Sequence, residues 1–370
     1  MKLESEFIRL PLKFDVERLQ YELAQFDDKD WLPHPNNFKG NNSIPLISTG
    51  GTANDLMSGE MKPTEHLNNS PYFQQIMDAF GEVFGRSRLM SLDGGCEVSQ
   101  HSDLHYHWFD RVRIHIPIVT NDKVIFHCGN EKIHMAVGEA WLFDAWKPHK
   151  VVNHSNKTRT HLVLDTCGSS KFWDMVNQSE FFPNGKHTSI QTQMLSFQEG
   201  KKVNILCEKF NTPGVMAPGE VNYLVQDLID DAKRCPSNDK DLLNNFIKKA
   251  DGFRKDWRKI WSLYKDLPEG HIHYQKLIQN TLSQDTRVRL GSIDESAQFV
   301  LGARILIPAL NLDILKHEDS KPKLTRSVTP TQKQESSNNS SVLKENIKQP
   351  LSRNSLCFCG SKKKYKHCCG

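Results

Sequence analysis

Between Ser87 and Asp165, apolar and polar residues alternate in short runs separated by turn-forming residues: Arg88–Leu92, Val112–Val119, Lys123–His127, Ala140–Phe143, Val151–Val152 and Arg159–Asp165. A period of two sends successive side chains to opposite faces of an extended chain, and short runs at this spacing predict an antiparallel barrel or jelly roll. In Val112-Arg113-Ile114-His115-Ile116-Pro117-Ile118-Val119 the even positions are all aliphatic, so Arg113 and His115 share the other face. Beyond about residue 215 the period lengthens to about 3.6. Val221, Leu224, Val225, Leu228, Ile229 and Ala232 form one helical stripe, and a longer one runs from Leu242 through Phe246, Phe253 and Trp257 to Leu267. Such stripes are core-forming, which gives this region a packing role as one wall of any site the strands build. The most apolar stretch, Phe299 to Leu315, is interrupted by Arg304 and Asp313 and reads as a buried helix, too broken to span a membrane.

Residues 1 to about 85 mix both periods. Their Gly50-Gly51-Thr52-Ala53-Asn54-Asp55 stretch lacks the Gly-Lys-Ser/Thr of a phosphate loop and reads as a turn. Residues 317–352 hold six aliphatic side chains and no aromatic ones, too few to offset the entropy of ordering, and are expected to be a disordered linker. The expected divisions are therefore a β-rich domain over residues 1–190, a helical region over 191–316 packing on it, the linker over 317–352, and a small terminal unit over 353–370.

Charge follows the same divisions. The formal net charge is +4, yet Arg353, Lys362, Lys363, Lys364 and Lys366 face no acid in the last 18 residues, which leaves residues 1–316 mildly acidic. Nucleic-acid attraction is thus not expected except through the basic tail. The opening Met1-Lys-Leu-Glu-Ser-Glu-Phe-Ile-Arg has no apolar run of signal-peptide length. Nine cysteines cannot all pair, and four crowd into the tail at metal-ligand spacing, so a reducing, cytoplasmic setting is expected.

The strongest chemical constellation is His101-Ser102-Asp103 followed by His149, with Arg159 ten residues on. Two imidazoles and one carboxylate can occupy one face of an octahedral metal and leave three adjacent positions open, enough for a chelating 2-oxo acid and O₂ at Fe(II). A lone His-x-Asp means little in a chain with 16 histidines. The flanking strands raise its weight. If Asn153–Lys157 is a hairpin turn, Val151 lies opposite Arg159 and both share a face with His149, within reach of a carboxylate on a metal-bound ligand. His105 and His107 begin no His-x-Asp and read as pocket lining or surface. Arg86 and Arg88, on the strand entering the site, are candidates for a substrate carboxylate.

Taken together, Ser87-Arg88-Leu89-Met90, Gly94-Gly95, His101-Ser-Asp103, Arg113-Ile-His115-Ile-Pro117, Gly138-Glu139-Ala-Trp-Leu-Phe143-Asp144, His149-Lys-Val151-Val-Asn153, Arg159 and Leu162-Val-Leu-Asp165 resemble the aspartyl/asparaginyl/proline hydroxylase family over roughly residues 85–168. The resemblance implies a cupin-like double-stranded β-helix. It also implies an Fe(II) site of His101, Asp103 and His149, with 2-oxoglutarate held by Arg159 at its distal carboxylate and by Arg113 and His115 near its chelating end. The implied reaction converts 2-oxoglutarate, O₂ and an unactivated C–H bond into succinate, CO₂ and an alcohol. Asp103 places the chain with family members that keep the full triad. The helical part after residue 215 is similar to the C-terminal helices of bacterial proline hydroxylases.

Cys357-Phe358-Cys359, eight further residues, then Cys368-Cys369 put four thiols in a tail without an apolar core. Tetrahedral Zn(II) is then both the ligand set's natural partner and the folding force, contributing about 10–16 kcal/mol in comparable peptides. With Gly360-Ser361 and Lys363-Lys364-Tyr365 the tail resembles the SEC-C motif, which implies Cys357, Cys359, Cys368 and Cys369 as ligands, His367 outside the set, and docking to proteins or ribosomes. The expected substrate is an Asp/Asn or Pro-like residue of a protein or peptide docked by the knob, including a ribosome-associated or Sec-type partner. A free amino acid of the proline type is the alternative. A non-catalytic protein- or ribosome-binding module is a third reading.

Overall fold

The computed structural model describes residues 1–34, 38–183 and 191–319. Two mainly antiparallel sheets face each other. The smaller has the order Glu131–Ile133, Val124–Cys128, His149–Asn153, Glu97–His101. The larger runs Glu180–Phe182, Phe7–Phe14, Glu139–Phe143, Val112–Val119, Arg159–Thr166, Ser87–Leu92, Asn41–Thr49, Leu32–Pro33. Eight strands from Ser87 to Thr166 thus pass between sheets as in a jelly roll, with only the hairpin Val124–Cys128 and Glu131–Ile133 staying within one sheet, and the N-terminal strands widen the larger sheet.

Alternation assigns the faces. Ile114, Ile116 and Ile118 join Leu89, Leu162 and Leu164 in a core capped by helices Val16–Leu23, Pro71–Phe80 and Ser170–Asn177. The opposite face of the same strands looks into the space between the sheets, where Leu92, Phe126, Trp141, Phe143 and Val151 form a smaller cluster. Polar Glu22 is buried inside the helical layer because its carboxylate accepts hydrogen bonds from the Tyr72 and Phe73 amides, at 2.6 and 3.0 Å, at the start of the Pro71–Phe80 helix.

The strand Glu97–His101 escapes the sequence reading because Glu97, Ser99 and Gln100 are exposed; its pairing with His149–Asn153 makes it a strand. Asn153–Lys157 also differs from the expected hairpin. Val151 pairs with Val98 and Phe126 in the smaller sheet, whereas Arg159 pairs with Leu92 in the larger. The segment is a crossing between sheets. Buried Asn153 holds it there, donating to the carbonyls of Leu92, Asp93 and Lys157 at 3.0, 3.2 and 2.8 Å. Gly94 is required at this crossing, since a Cβ there would lie 2.6 Å from the backbone carbonyl carbon of Asn156. Gly94→Ala should therefore destabilise the fold by about 1–3 kcal/mol, as overpacking against backbone does; an unchanged midpoint in chemical denaturation would show that the crossing can yield.

Beyond residue 215, helices Pro218–Lys233, Lys240–Tyr264 and His271–Thr281 enclose a separate core containing Leu224, Phe253, Trp257 and Tyr274. The longer stripe ends earlier than its apolar pattern suggests: the helix stops at Tyr264, Lys265 takes φ 46°, and Leu267 is exposed. The expected single helix over 299–315 is likewise divided into Ala297–Val300, a π-turn over Leu301–Leu306 closed by Ile307 N to Gly302 O at 3.0 Å, and Leu312–Asp319. Pro308, which has no N–H to donate, falls in the break. The last helix carries regular structure three residues into the region read as linker; the rest of that region and the terminal unit, with Cys357, Cys359, Cys368 and Cys369, lie outside the described residues. Among the described residues no helix is long and apolar enough to cross a membrane.

Candidate active site

His149 opens its strand directly opposite His101, which ends its own, so register sets the two rings 4.3 Å apart. Two residues on, the Asp103 amide donates to Ala145 O at 2.9 Å and pins the carboxylate beside them. Ligand atoms of His101, Asp103 and His149 all lie within 4.8 Å of one another. Each imidazole has its Nδ1 against a backbone carbonyl, Ser99 O at 2.8 Å for His101 and Lys147 O at 2.9 Å for His149, which directs the Nε2 lone pair inward. Nε2 of His149 and Oδ2 of Asp103 are buried with no hydrogen-bond partner. Burial pushes His149 down to about 4, keeping it in the neutral form a metal needs. Burial opposes ionisation of Asp103, yet Arg113, His149 and His101 hold its carboxyl well below the usual range. The three residues therefore fit a cation.

Arg113 reaches Asp103 Oδ2 at 3.0 Å and Asp165 Oδ1 at 3.7 Å, and its guanidinium lies 3.6 Å from the centre of the Trp108 ring. The Asp103 contact is a close ion pair without hydrogen-bond alignment, since Oδ2 has no hydrogen-bond partner. His115 sits among the rings of Phe126, Phe143 and His161, at 5.7, 5.2 and 5.8 Å, with both nitrogens unpartnered. The face that carries Arg113 and His115 thus looks into the molecule. His107 is buried 3.7 Å from Asp165, against Trp108, and is lining.

Arg159 is 4 % exposed although the hairpin expected to aim it does not exist. Its strand does the aiming: Arg159, His161 and Asp165 alternate with Thr160, Leu162 and Leu164, and the aliphatic pair occupies the helix-covered core. The guanidinium lies 5.1 Å from the Phe126 ring centre, has one long bond to Met90 O at 3.4 Å, and leaves Nε unpartnered. Burial, with no neighbouring acid opposing it, pushes its pKa down to about 9. Such a cation lacks an anion.

Arg88 and Arg86, the candidates for a substrate carboxylate, are buried, and both pair with Asp55. The sequence reading took Asp55 as part of a turn, named Asp165 in a strand and in the family resemblance without giving it a role, and passed over Trp108. Period two could have found His161 and Asp165, which share a face with Arg159; nothing local marks Asp55 or Trp108.

Residues 17–168 match the family model described as Aspartyl/Asparaginyl beta-hydroxylase, and residues 353–370 match the SEC-C motif. Over these residues the chain is similar to the aspartyl/asparaginyl β-hydroxylases. The match begins well before residue 85 and takes in the helices Val16–Leu23 and Pro71–Phe80, while the strand Phe7–Phe14 precedes it. Curated relatives include L-proline cis-3-hydroxylase 1 of Streptomyces sp, 24 % identical over 44 % of this chain and 60 % of its own length. L-proline cis-4-hydroxylase of Rhizobium meliloti is also 24 % identical, over 42 % of this chain and 58 % of its own length. The chain thus spans less than two thirds of these relatives. A solved Pseudomonas putida prolyl-4-hydroxylase aligns over 44 % of this chain and 92 % of its own at 12 % identity, with a TM-score of 0.32.

The helical region closes one side of the β-rich domain. Trp146 Nε1 donates to Ser292 Oγ at 2.8 Å, the Tyr106 hydroxyl donates to Glu220, and buried Arg304 lies 4.1 Å from the Trp146 ring centre and pairs with Asp227 at 3.2 Å. These contacts flank the Asp103 loop and the approach to His149, so helical packing bears on ligand placement.

Proposed function

We propose that this protein is an Fe(II)- and 2-oxoglutarate-dependent hydroxylase. His101, Asp103 and His149 hold the iron, Arg159 the distal carboxylate of 2-oxoglutarate, Arg113 and His115 flank its chelating end, and Arg88 faces the substrate. The observation that carries the reading is Arg159, a buried guanidinium without an acid, in the same ring-lined interior as a His-Asp-His set whose His149 Nε2 and Asp103 Oδ2 have no hydrogen-bond partner. Iron, when bound, supplies the activation of O₂ and the oxidation of a C–H bond coupled to decarboxylation of 2-oxoglutarate. The chain's own residues hold and orient. Ser99 and Lys147 carbonyls fix the two ligand tautomers, Arg113 steadies Asp103 by its charge, and Phe126 and Phe143 keep water from the space between the ligands and Arg159. Succinate formation from 2-oxoglutarate with Fe(II), alone and against amino acids and cell-extract proteins, tests the reading; no turnover and no 2-oxoglutarate binding would overturn it.

The substrate we favour is an Asp/Asn or Pro-like residue of a protein or peptide, docked through a Zn(II) knob of Cys357, Cys359, Cys368 and Cys369. The SEC-C match supports it. If the stretch between Asp319 and the knob is the linker expected from composition, about 33 residues with a root-mean-square span of about 29–34 Å would raise the local concentration of a shared target to the order of millimolar. Truncation after Asp319, which keeps the last described helix, should leave small-substrate turnover unchanged yet weaken hydroxylation of a protein target at least roughly tenfold at low concentration. Equal activity of truncated and full-length enzyme on every substrate would instead favour a free amino acid, the reading supported by the two proline hydroxylases and by the arginine pair.

A further inference from the structure

Arg86, immediately before the strand Ser87–Leu92, and Arg88, within it, are each about 3 % exposed and share a single carboxylate oxygen. Asp55 Oδ1 accepts from Arg86 Nη1 at 2.8 Å and from Arg88 Nη1 at 2.7 Å, and its backbone carbonyl accepts from Arg86 at 3.2 Å. Two buried guanidiniums on one carboxylate leave cationic character over, and Arg86 Nε has no partner. The pair lies beside the proposed iron site: the Arg86 guanidinium is 5.5 Å from the Trp108 ring centre, and that same ring carries Arg113, which pairs with Asp103.

The arginines are fixed; their partner is not built like them. Asp55 retains 29 % side-chain exposure and stands in a loop, residues 51–60, none of which is buried. Gly50 and Gly51 at its start have φ of 69° and 73°, and Gly59 near its end has 118°. Polar bonds close the loop: Asn54 Nδ2 to Thr49 O at 2.8 Å, Thr49 Oγ1 to Ser58 O at 3.0 Å, and Gly59 N to Asn211 Oδ1 at 2.9 Å. Water can replace all of these, so releasing the loop uncovers no apolar core. Leaving two buried guanidiniums without an anion is costly, and an arriving carboxylate removes that cost by the same fork geometry.

We propose that Asp55 is an internal stand-in for the substrate, occupying a carboxylate site formed by Arg86 and Arg88 until a substrate carboxylate displaces it and the 51–60 loop swings aside. The inference deepens the hydroxylase reading and rests on it for the word substrate. It makes the enzyme selective for an anion in a specific way: a neutral compound cannot replace the charge that Asp55 supplies. Asp55 also competes with every substrate, so apparent affinity is set by the fraction of molecules whose site is vacated.

The test uses the full-length chain. Asp55→Ala should lower the melting temperature, and acetate should raise it again in a concentration-dependent way that chloride at equal ionic strength does not reproduce, while the wild type responds little. Asp55→Asn, which keeps the volume, guards against a misfolded alanine variant. In protein loaded with Mn(II) and 2-oxoglutarate without O₂, L-proline, prolinamide and N-acetyl-aspartate amide then separate the sources of the carboxylate. Either L-proline or N-acetyl-aspartate amide should speed hydrogen exchange over residues 51–60 of the wild type and bind the Asp55 variants roughly tenfold more tightly; prolinamide should do neither. If acetate stabilises wild type and variants alike, or the variants bind neither carboxylate more tightly than wild type, Asp55 is a permanent counter-ion and the proposal falls. Failure of the hydroxylase reading would show separately, as absence of Mn(II)-dependent 2-oxoglutarate binding, and leaves the acetate response standing.

Discussion

Asp103→Ala and His149→Ala are each expected to abolish 2-oxoglutarate turnover while the protein stays folded. Losing an outer-shell partner of a metal ligand commonly costs 10- to 100-fold in metal affinity, so deleting a ligand should cost at least about 100-fold. The fold should survive because neither side chain belongs to the aliphatic cores: Asp103 sits in a loop anchored by its own amide to Ala145, and His149 keeps its strand pairing through backbone bonds to the Val124–Cys128 strand. The two variants should differ in one respect. Removing Asp103 leaves Arg113 with Asp165 as its remaining acid, so a small loss of stability is expected there, measurable as a shifted denaturation midpoint. Mn(II) binding read by electron paramagnetic resonance, alongside circular dichroism, separates metal loss from unfolding. Undiminished turnover in the Asp103 variant would mean that two histidines suffice.

Arg159→Ala should raise the KM for 2-oxoglutarate by roughly 10- to 150-fold with little change in metal affinity, the equivalent of about 1.5–3 kcal/mol for a charge-assisted hydrogen bond. Its effect on stability should be smaller than that of an ordinary buried deletion. The guanidinium is buried without an acid, so removing it relieves an uncompensated charge even as it leaves a cavity beside Phe126. Melting temperature without ligand should therefore fall less than for a buried leucine, and the stabilisation that 2-oxoglutarate gives the wild type should largely vanish. Loss of metal binding with 2-oxoglutarate affinity intact would place the distal carboxylate elsewhere.

The two arguments drawn from the sequence for this site fared differently against the structure. Alternation in Val112–Val119 placed Arg113 and His115 on the face away from the isoleucines, and that face does line the space between the sheets. The hairpin that was to aim Arg159 is a crossing between sheets, although the alternation of its own strand still turns it inward. A pattern internal to one strand survives whatever that strand pairs with; a register between two strands does not.

What the sequence determined by itself is therefore local. It set the two periods, the face each strand or helix buries, the His-x-Asp with its distant histidine, and the four-cysteine tail, because backbone geometry alone links spacing to direction. Tertiary structure decided which sheet each strand joins, and with it the meeting of His101 with His149 across one register and the conversion of a wet-looking Glu97–His101 into a strand. It also decided that Asp55, from a loop with no signal of its own, would close on Arg86 and Arg88 some thirty residues away. Charges in the interior find partners by position in space, and desolvation makes those pairings compulsory only once the fold has excluded water.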